Sequence, residues 1–165
     1  MKRIGLISDT HSHLDERLWA YLEPCDEVWH AGDFGSMAAA EALSAFRPLR
    51  GVYGNIDDKD IRAAYPLDLR FACEGVPVWM THIGGYPGKY APRVRPLLRE
   101  APPTGGLFVS GHSHILKVMP DPQGGFLHLN PGACGLEGWH KVKTLLRFTL
   151  SDGVVSNMEV VEWPK

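Results

Sequence analysis

The sequence predicts an α/β fold that opens with alternating strands and helices and closes with antiparallel strands. Three observations support this. Short β-rich runs alternate with helix-periodic segments in the first half, only strand-like runs follow residue 111, and two late runs are split by turn residues into hairpins.

Residues 2 to 8 (KRIGLIS) read as a first strand, ended by Asp9-Thr10-His11. LDERLWAYL then places Leu14, Leu18 and Leu22 four apart on one face of a helix. EVWH (27 to 30) is a second strand, broken by Gly32, after which Ser36 caps a helix that turns Met37, Ala40, Leu43 and Phe46 inward. LRGVY (49 to 53) is a third strand, and the alternation points to βαβ units in a largely parallel sheet. VPVWMT (76 to 81) and GLFVSG (106 to 111) are further strands, separated by a proline-spaced segment in which Val94, Leu97 and Leu98 face the core from a short helix. LKVMPDPQGGFLHLN has a Pro, Asp and Gly-rich centre between apolar runs, and TLLRFTLSDGVVSNMEVV turns at Asp152-Gly153; both are hairpins.

A chain of 165 residues can bury roughly two-thirds of its unfolded surface, so one domain over 1–165 is expected. Its 44% hydrophobic and 22% charged residues exclude a disordered or fibrous chain. With 17 basic against 19 acidic residues there is no basic stripe, and nothing recommends nucleic acid as a tight partner. Cys25, Cys73 and Cys134 lack CxxC spacing and read as free thiols. The first apolar run is about four residues long, too short for a signal peptide, and no run nears the roughly 18 of a membrane span. A cytoplasmic protein with no membrane partner is expected.

The chemistry lies at the strand ends. Asp9 and His11 follow the first strand, Gly32-Asp33 the second, Gly54-Asn55 the third, His82 the VPVWMT strand, and Gly111-His112-Ser113-His114 the LFVS strand. Each taken singly is an ordinary turn or helix cap. Ligands of open α/β sheets bind outside the carboxyl ends of strands, so ligand-type residues at five such ends point to one shared site. Imidazole, carboxylate and amide donors without thiolate suit divalent Mn, Fe, Ni, Co or Zn. Seven donors are too many for one ion; two ions need a bridging carboxylate, for which Asp33 is the candidate.

The order DxH, GD, GN, H, GHxH resembles the calcineurin-like metallophosphoesterases with every ligand position filled. ISDTH at the first strand and Asn130-Pro131-Gly132 after a late strand resemble the small bacterial and archaeal phosphodiesterase branch, over almost the whole chain. The resemblance implies a four-layer sandwich of two mixed β-sheets flanked by helices. It assigns Asp9, His11, Asp33 and His114 to one metal, and Asp33, Asn55, His82 and His112 to the other. Two divalent transition ions are implied, manganese first, with nickel, iron, zinc or cobalt as alternatives. The implied activity is hydrolysis of a small-molecule phosphate ester, foremost a diester, by a hydroxide activated between the two metals. Asp33, Asn55 and His11 are the catalytic candidates, and Asp57 orients a neighbouring ligand. Glycines 32, 54 and 111 would let the backbone approach the metals or adopt positive φ.

The chain departs from the family pattern in two places. Ile56 stands where the phosphatase branches often place a proton-donating histidine, which leaves His11 as the nearby donor or a good leaving group that needs none. Ile83-Gly84 replaces the end of THGH, so substrate preference does not carry over. His13, His30, His128 and His140 have no matching role. No GxSxG elbow, P-loop or HxHxDH pattern is present, Leu116 and Lys117 standing where the last would need Asp and His. Two other readings remain open: a metal-binding protein-interaction scaffold of the same fold, and a phosphomonoesterase or cyclic-nucleotide esterase on the same site. Lys89, Arg93, Arg95 and Arg99 of the 83 to 103 segment read as a solvated helix face ahead of a substrate-side lid. Exposed aromatic side chains could support a homodimer.

Overall fold

The computed structural model describes residues 1–165. In chain order it has β1 (Lys2–Ile7), α1 (Glu16–Leu22), β2 (Glu27–His30), α2 (Met37–Phe46), β3 (Leu49–Gly51), α3 (Lys59–Ala64), β4 (Asp68–Cys73) and β5 (Val76–Thr81). There follow the small strands β6 (Gly85–Tyr86) and β7 (Lys89–Tyr90), α4 (Val94–Glu100), β8 (Leu107–Val109), β9 (Leu116–Asp121), β10 (Phe126–Pro131), β11 (Val142–Ser151) and β12 (Val154–Pro164).

The strands form two five-stranded sheets, ordered β12-β11-β1-β2-β3 and β4-β5-β8-β10-β9, with β6 and β7 as a separate ribbon. Each sheet is mixed: β1 pairs in parallel with β2 and antiparallel with β11, and β8 pairs in parallel with β5 and β10, whose other partners are antiparallel. Side chains alternate across both sheets with the two-residue period of a strand. Ile4 and Leu6 of β1, Val76, Val78 and Met80 of β5, and Leu146, Phe148 and Leu150 of β11 fill the core between the sheets. Ile7, Val28 and Leu145 face outward onto Leu18, Leu22, Leu43 and Ile61 of α1, α2 and α3. Trp79 and Phe108 take Val94 and Leu98 of α4 on the far side. The layers are therefore helix, sheet, sheet, helix.

α1 begins at Glu16 rather than Leu14 because Asp15 caps it, accepting the Arg17 backbone N–H. The same carboxylate accepts Lys143 Nζ at 2.7 Å and Trp163 Nε1 at 3.2 Å, tying the helix to β11 and β12.

Four elements are absent from the sequence reading: the two-residue strands β6 and β7, which are too short to show a period, and β4 and α3. β4 packs Leu69 and Phe71 against the inner core, but its polar-apolar alternation, Asp68-Leu69-Arg70-Phe71, lasts only two periods before Ala72 and Cys73. Its turn into β5 places Glu74 at φ 51 and Gly75 at φ 78, a mirror-type turn usually signalled by Asn-Gly or Asp-Gly rather than Glu-Gly. α3 buries only Ile61 and is held by Asp58, which caps two backbone N–H groups. Six residues with one buried apolar position leave no readable period. The parallel pairing expected from the opening alternation is found in β1-β2-β3, further parallel pairs, β5-β8 and β8-β10, lie in the second sheet, and the two mixed sheets are those of the four-layer sandwich that the resemblance implies.

Candidate metal centre

The loops after β1, β2, β3, β5 and β8 converge at one edge of the sandwich and are laced by hydrogen bonds. Asp9 N–H donates to Gly32 O and His11 N–H to Asp33 O, joining the first two loops. Gly111 N–H donates to His82 O, and His112 N–H to Asp9 Oδ2 at 3.1 Å, which links the two sheets' loops. The loops approach so closely that a Cβ at Gly54 would collide with the Asp33 carboxylate, and one at Gly111 with Ser8 Oγ and Asp9 Oδ2.

The structure brings all seven candidate ligands together. Asp9, His11 and His114 form one group and Asp33, His82 and His112 a second, each with its donor atoms within 4.8 Å of one another. Asn55 Oδ1 completes the second, 3.1 Å from His82 Nε2 and 3.0 Å from His112 Nδ1. Asp33 Oδ2 faces both groups, 3.3 Å from His11 Nε2 and 3.2 Å from His82 Nε2. Five of these residues hold left-handed backbone: Asp9 (φ 56), His11 (46), Asp33 (60), His112 (68) and His114 (61). Each costs on the order of 1 kcal/mol outside glycine, and strain gathered on the polar residues of one cleft marks a site rather than a packing solution.

The electrostatics fit a cation. Burial acts to raise the Asp9 and Asp33 carboxyls, but His11 beside both, His114 on Asp9 and His82 on Asp33 outweigh it and hold both below the usual carboxylate range. The Asp33 carboxylate, and then Asp9, pushes the His11 imidazole up to about 9. Yet His11 Nε2 is buried with no aligned hydrogen-bond partner. Two buried carboxylates, four imidazoles, one of them with an orphaned ring nitrogen, and an amide oxygen form a donor set that fits divalent transition metals.

Outer contacts orient these donors. His82 Nδ1 lies 2.7 Å from the Ala31 carbonyl and donates to it, which turns Nε2 into the site. Asp57 is buried and accepts Gly54 N–H at 2.8 Å, Gly35 N–H at 2.9 Å and Phe34 N–H at 3.2 Å, pinning the loop that carries Asp33 to the loop that carries Asn55. Sequence reasoning missed two such residues. Ser8 Oγ donates to Asp9 Oδ2 at 2.6 Å; a serine ending a strand carries no signal. Asn130 Nδ2 donates to Gly111 O and Ser113 Oγ, holding the GHSH turn; its Asn-Pro-Gly setting was visible, though not its role.

Of the four histidines without an expected role, His30 is fully buried, pushed down to about 3 by that burial, and donates from Nε2 to Thr10 Oγ1 beneath the loops. His128 is buried behind Phe108, and His13 lies 3.2 Å from Lys143 Nζ. His140 stacks edge-on against His114, ring centres 5.2 Å apart. Ile56 is half exposed, and its backbone N–H donates to Asp33 Oδ1 at 3.1 Å. Arg93 is committed to a bidentate pair with Asp68. No helix is long and apolar enough to cross a membrane.

A family model described as the calcineurin-like phosphoesterase superfamily domain matches residues 1–153. No curated protein matches the chain. Among solved structures, a Thermotoga maritima protein is similar at 26% identity and TM-score 0.70, with 99% of this chain and 100% of that one covered. Chaetomium thermophilum Vps29 aligns at 18% identity and TM-score 0.73 over 100% of both chains. Yfce, a phosphoesterase from E. coli, aligns at 16% identity and TM-score 0.67 over 95% of this chain and 98% of that one.

Proposed function

The chain belongs to the calcineurin-like phosphoesterase superfamily, and we propose that residues 1–165 act as one domain that hydrolyses phosphodiesters with two divalent ions, manganese first among them. The observation that carries this reading is the Asp33 carboxylate, one oxygen of which faces both donor groups at 3.3 and 3.2 Å. Asp9, His11, Asp33 and His114 would hold one ion, and Asp33, Asn55, His82 and His112 the other. Such a pair would supply charge stabilisation for a phosphoryl group and would lower the pKa of a bound water.

The protein's own residues do the rest. His82, fixed through Nδ1 by Ala31, and Asn55, beside His82 and His112, set the geometry of one half. Ser8 and the His112 N–H fix the Asp9 carboxylate, and the Ile56 N–H fixes Asp33. Cavities of about 240 Å³ beside Asn55 and His82, and about 390 Å³ beside His112, flank the centre and share Ile83 as a wall. An ester with two arms can extend into both, which favours a diester over a monoester.

Some neighbours of the same fold are Vps29 proteins, and a scaffold role is the competing reading; the full donor set favours catalysis. With manganese restored to metal-free protein, bis-p-nitrophenyl phosphate should be cleaved at least about tenfold more efficiently than p-nitrophenyl phosphate, ~1.4 kcal/mol of discrimination. Equal or faster monoester cleavage would make the protein a phosphomonoesterase, and bound metal without either activity would favour the scaffold.

Ile56 cannot protonate a departing oxygen. Ile56→His should therefore speed cleavage of diesters of aliphatic alcohols by about 10²-fold, the size of a general-acid contribution, and barely change p-nitrophenyl esters. An equal effect on both leaving groups in steady-state kinetics would remove the proton-donor explanation.

A further inference from the structure

The cavity beside His112 has a charge character that the two metals do not require. Lys89 and Lys117 line it, with Arg95 at its junction with a neighbouring cavity, and no Asp or Glu is among its lining residues. None of the three is engaged in an ion pair, although the chain as a whole carries a net charge of -2. By contrast Arg93, on the other side of Ile83, is neutralised by Asp68.

Two of the cations, Lys117 and Arg95, are also held by side-chain contacts. Lys117 Nζ sits 4.5 Å from the centre of the Tyr86 ring, a contact that fixes an ammonium group without cancelling its charge. Lys89 is paired opposite Tyr86 in the small β6-β7 ribbon, on the same wall. Arg95 Nη2 donates to Tyr90 O at 3.2 Å. At the inner end, Ser113 Oγ accepts N–H groups from Asn130 and Ile115, which leaves its own hydroxyl hydrogen to donate elsewhere. Uncancelled cations and a free hydroxyl donor around one concavity make an anion site.

We propose that this cavity receives a second anionic group, a phosphate carried on one arm of the diester whose other phosphate lies at the metals. The preferred substrates are then small bis-phosphorylated diesters, with Lys89, Lys117 and Ser113 as specificity residues. This rests on the phosphodiesterase reading and is separable from it.

The test compares thymidine 5′-p-nitrophenyl phosphate with its 3′-phosphorylated derivative, with bis-p-nitrophenyl phosphate as the reference diester. In the manganese-loaded protein the added phosphate should raise kcat/KM about tenfold, the scale of a charge-assisted hydrogen bond. Lys89→Gln with Lys117→Gln should bring that ratio to about one, whereas Arg99→Gln, further along α4, should preserve it. A wild-type ratio of one or less, or one that survives the double substitution, overturns the proposal even if the reference diester is cleaved. If no diester is cleaved, the phosphodiesterase reading fails by itself, and calorimetry still decides the subsite. Thymidine 3′,5′-bisphosphate should then bind about tenfold more tightly than thymidine 5′-monophosphate, with the difference lost in the double variant; equal affinities overturn it.

Discussion

Asp33→Asn should lower kcat for bis-p-nitrophenyl phosphate by at least about 10³-fold, ~4 kcal/mol of transition-state stabilisation, while leaving the fold intact. The substitution keeps the shape of the side chain and removes its charge. That charge faces His11 Nε2 and His82 Nε2 through a single oxygen, so both halves of the centre lose the group they share. The other oxygen accepts the Ile56 N–H at 3.1 Å, and an amide can keep that bond by presenting its own oxygen there. Steady-state kinetics with circular dichroism and metal analysis would check this; a variant that retains two metals and more than a tenth of the activity would show that Asp33 does not couple the halves.

Asp57→Ala should act through architecture. Asp57 touches none of the donor atoms, yet its two oxygens accept the Phe34, Gly35 and Gly54 N–H groups. Removing them strands three backbone donors, each at a cost of about 1 kcal/mol or more. A total of ~3 kcal/mol corresponds to a fall in Tm of roughly 6 to 12 °C for a chain of this length. Loosening the loops that carry Asp33 and Asn55 should also weaken metal binding by about 10 to 100-fold. Asp57→Asn keeps one acceptor and should fall between. Differential scanning calorimetry and metal titration read the two effects separately; loss of stability with unchanged metal affinity would make Asp57 a loop staple only.

The opening strands, the helices capped at Ser36 and around Leu18 and Leu22, and both late hairpins were legible because apolar period and turn chemistry agree there. β4 was not, since Glu74 occupies a left-handed position that Asn or Asp usually announces. α3 was too short to show a period. At the candidate site the residues at the strand ends could be listed from the sequence, because ligand-type residues recur at five strand ends although each alone is an ordinary turn or cap. Their supports could not: Ser8, the Ala31 carbonyl behind His82 and the hold of Asn130 on the GHSH turn depend on loops separated along the chain. The charge of the Lys89 and Lys117 cavity was hidden for a similar reason. Lys89 lies in a segment whose charges read as solvated, and Lys117 joins it only because β9 lies beside the β6-β7 ribbon in space.

The most direct measurement is a calorimetric titration of manganese into metal-free protein, with bis-p-nitrophenyl phosphate hydrolysis followed at each point. Two ions per chain, with hydrolysis rising as the second binds, is the outcome that follows from one Asp33 oxygen serving two donor groups. Saturation at one ion per chain, or full hydrolysis with the first, would contradict a shared two-metal centre.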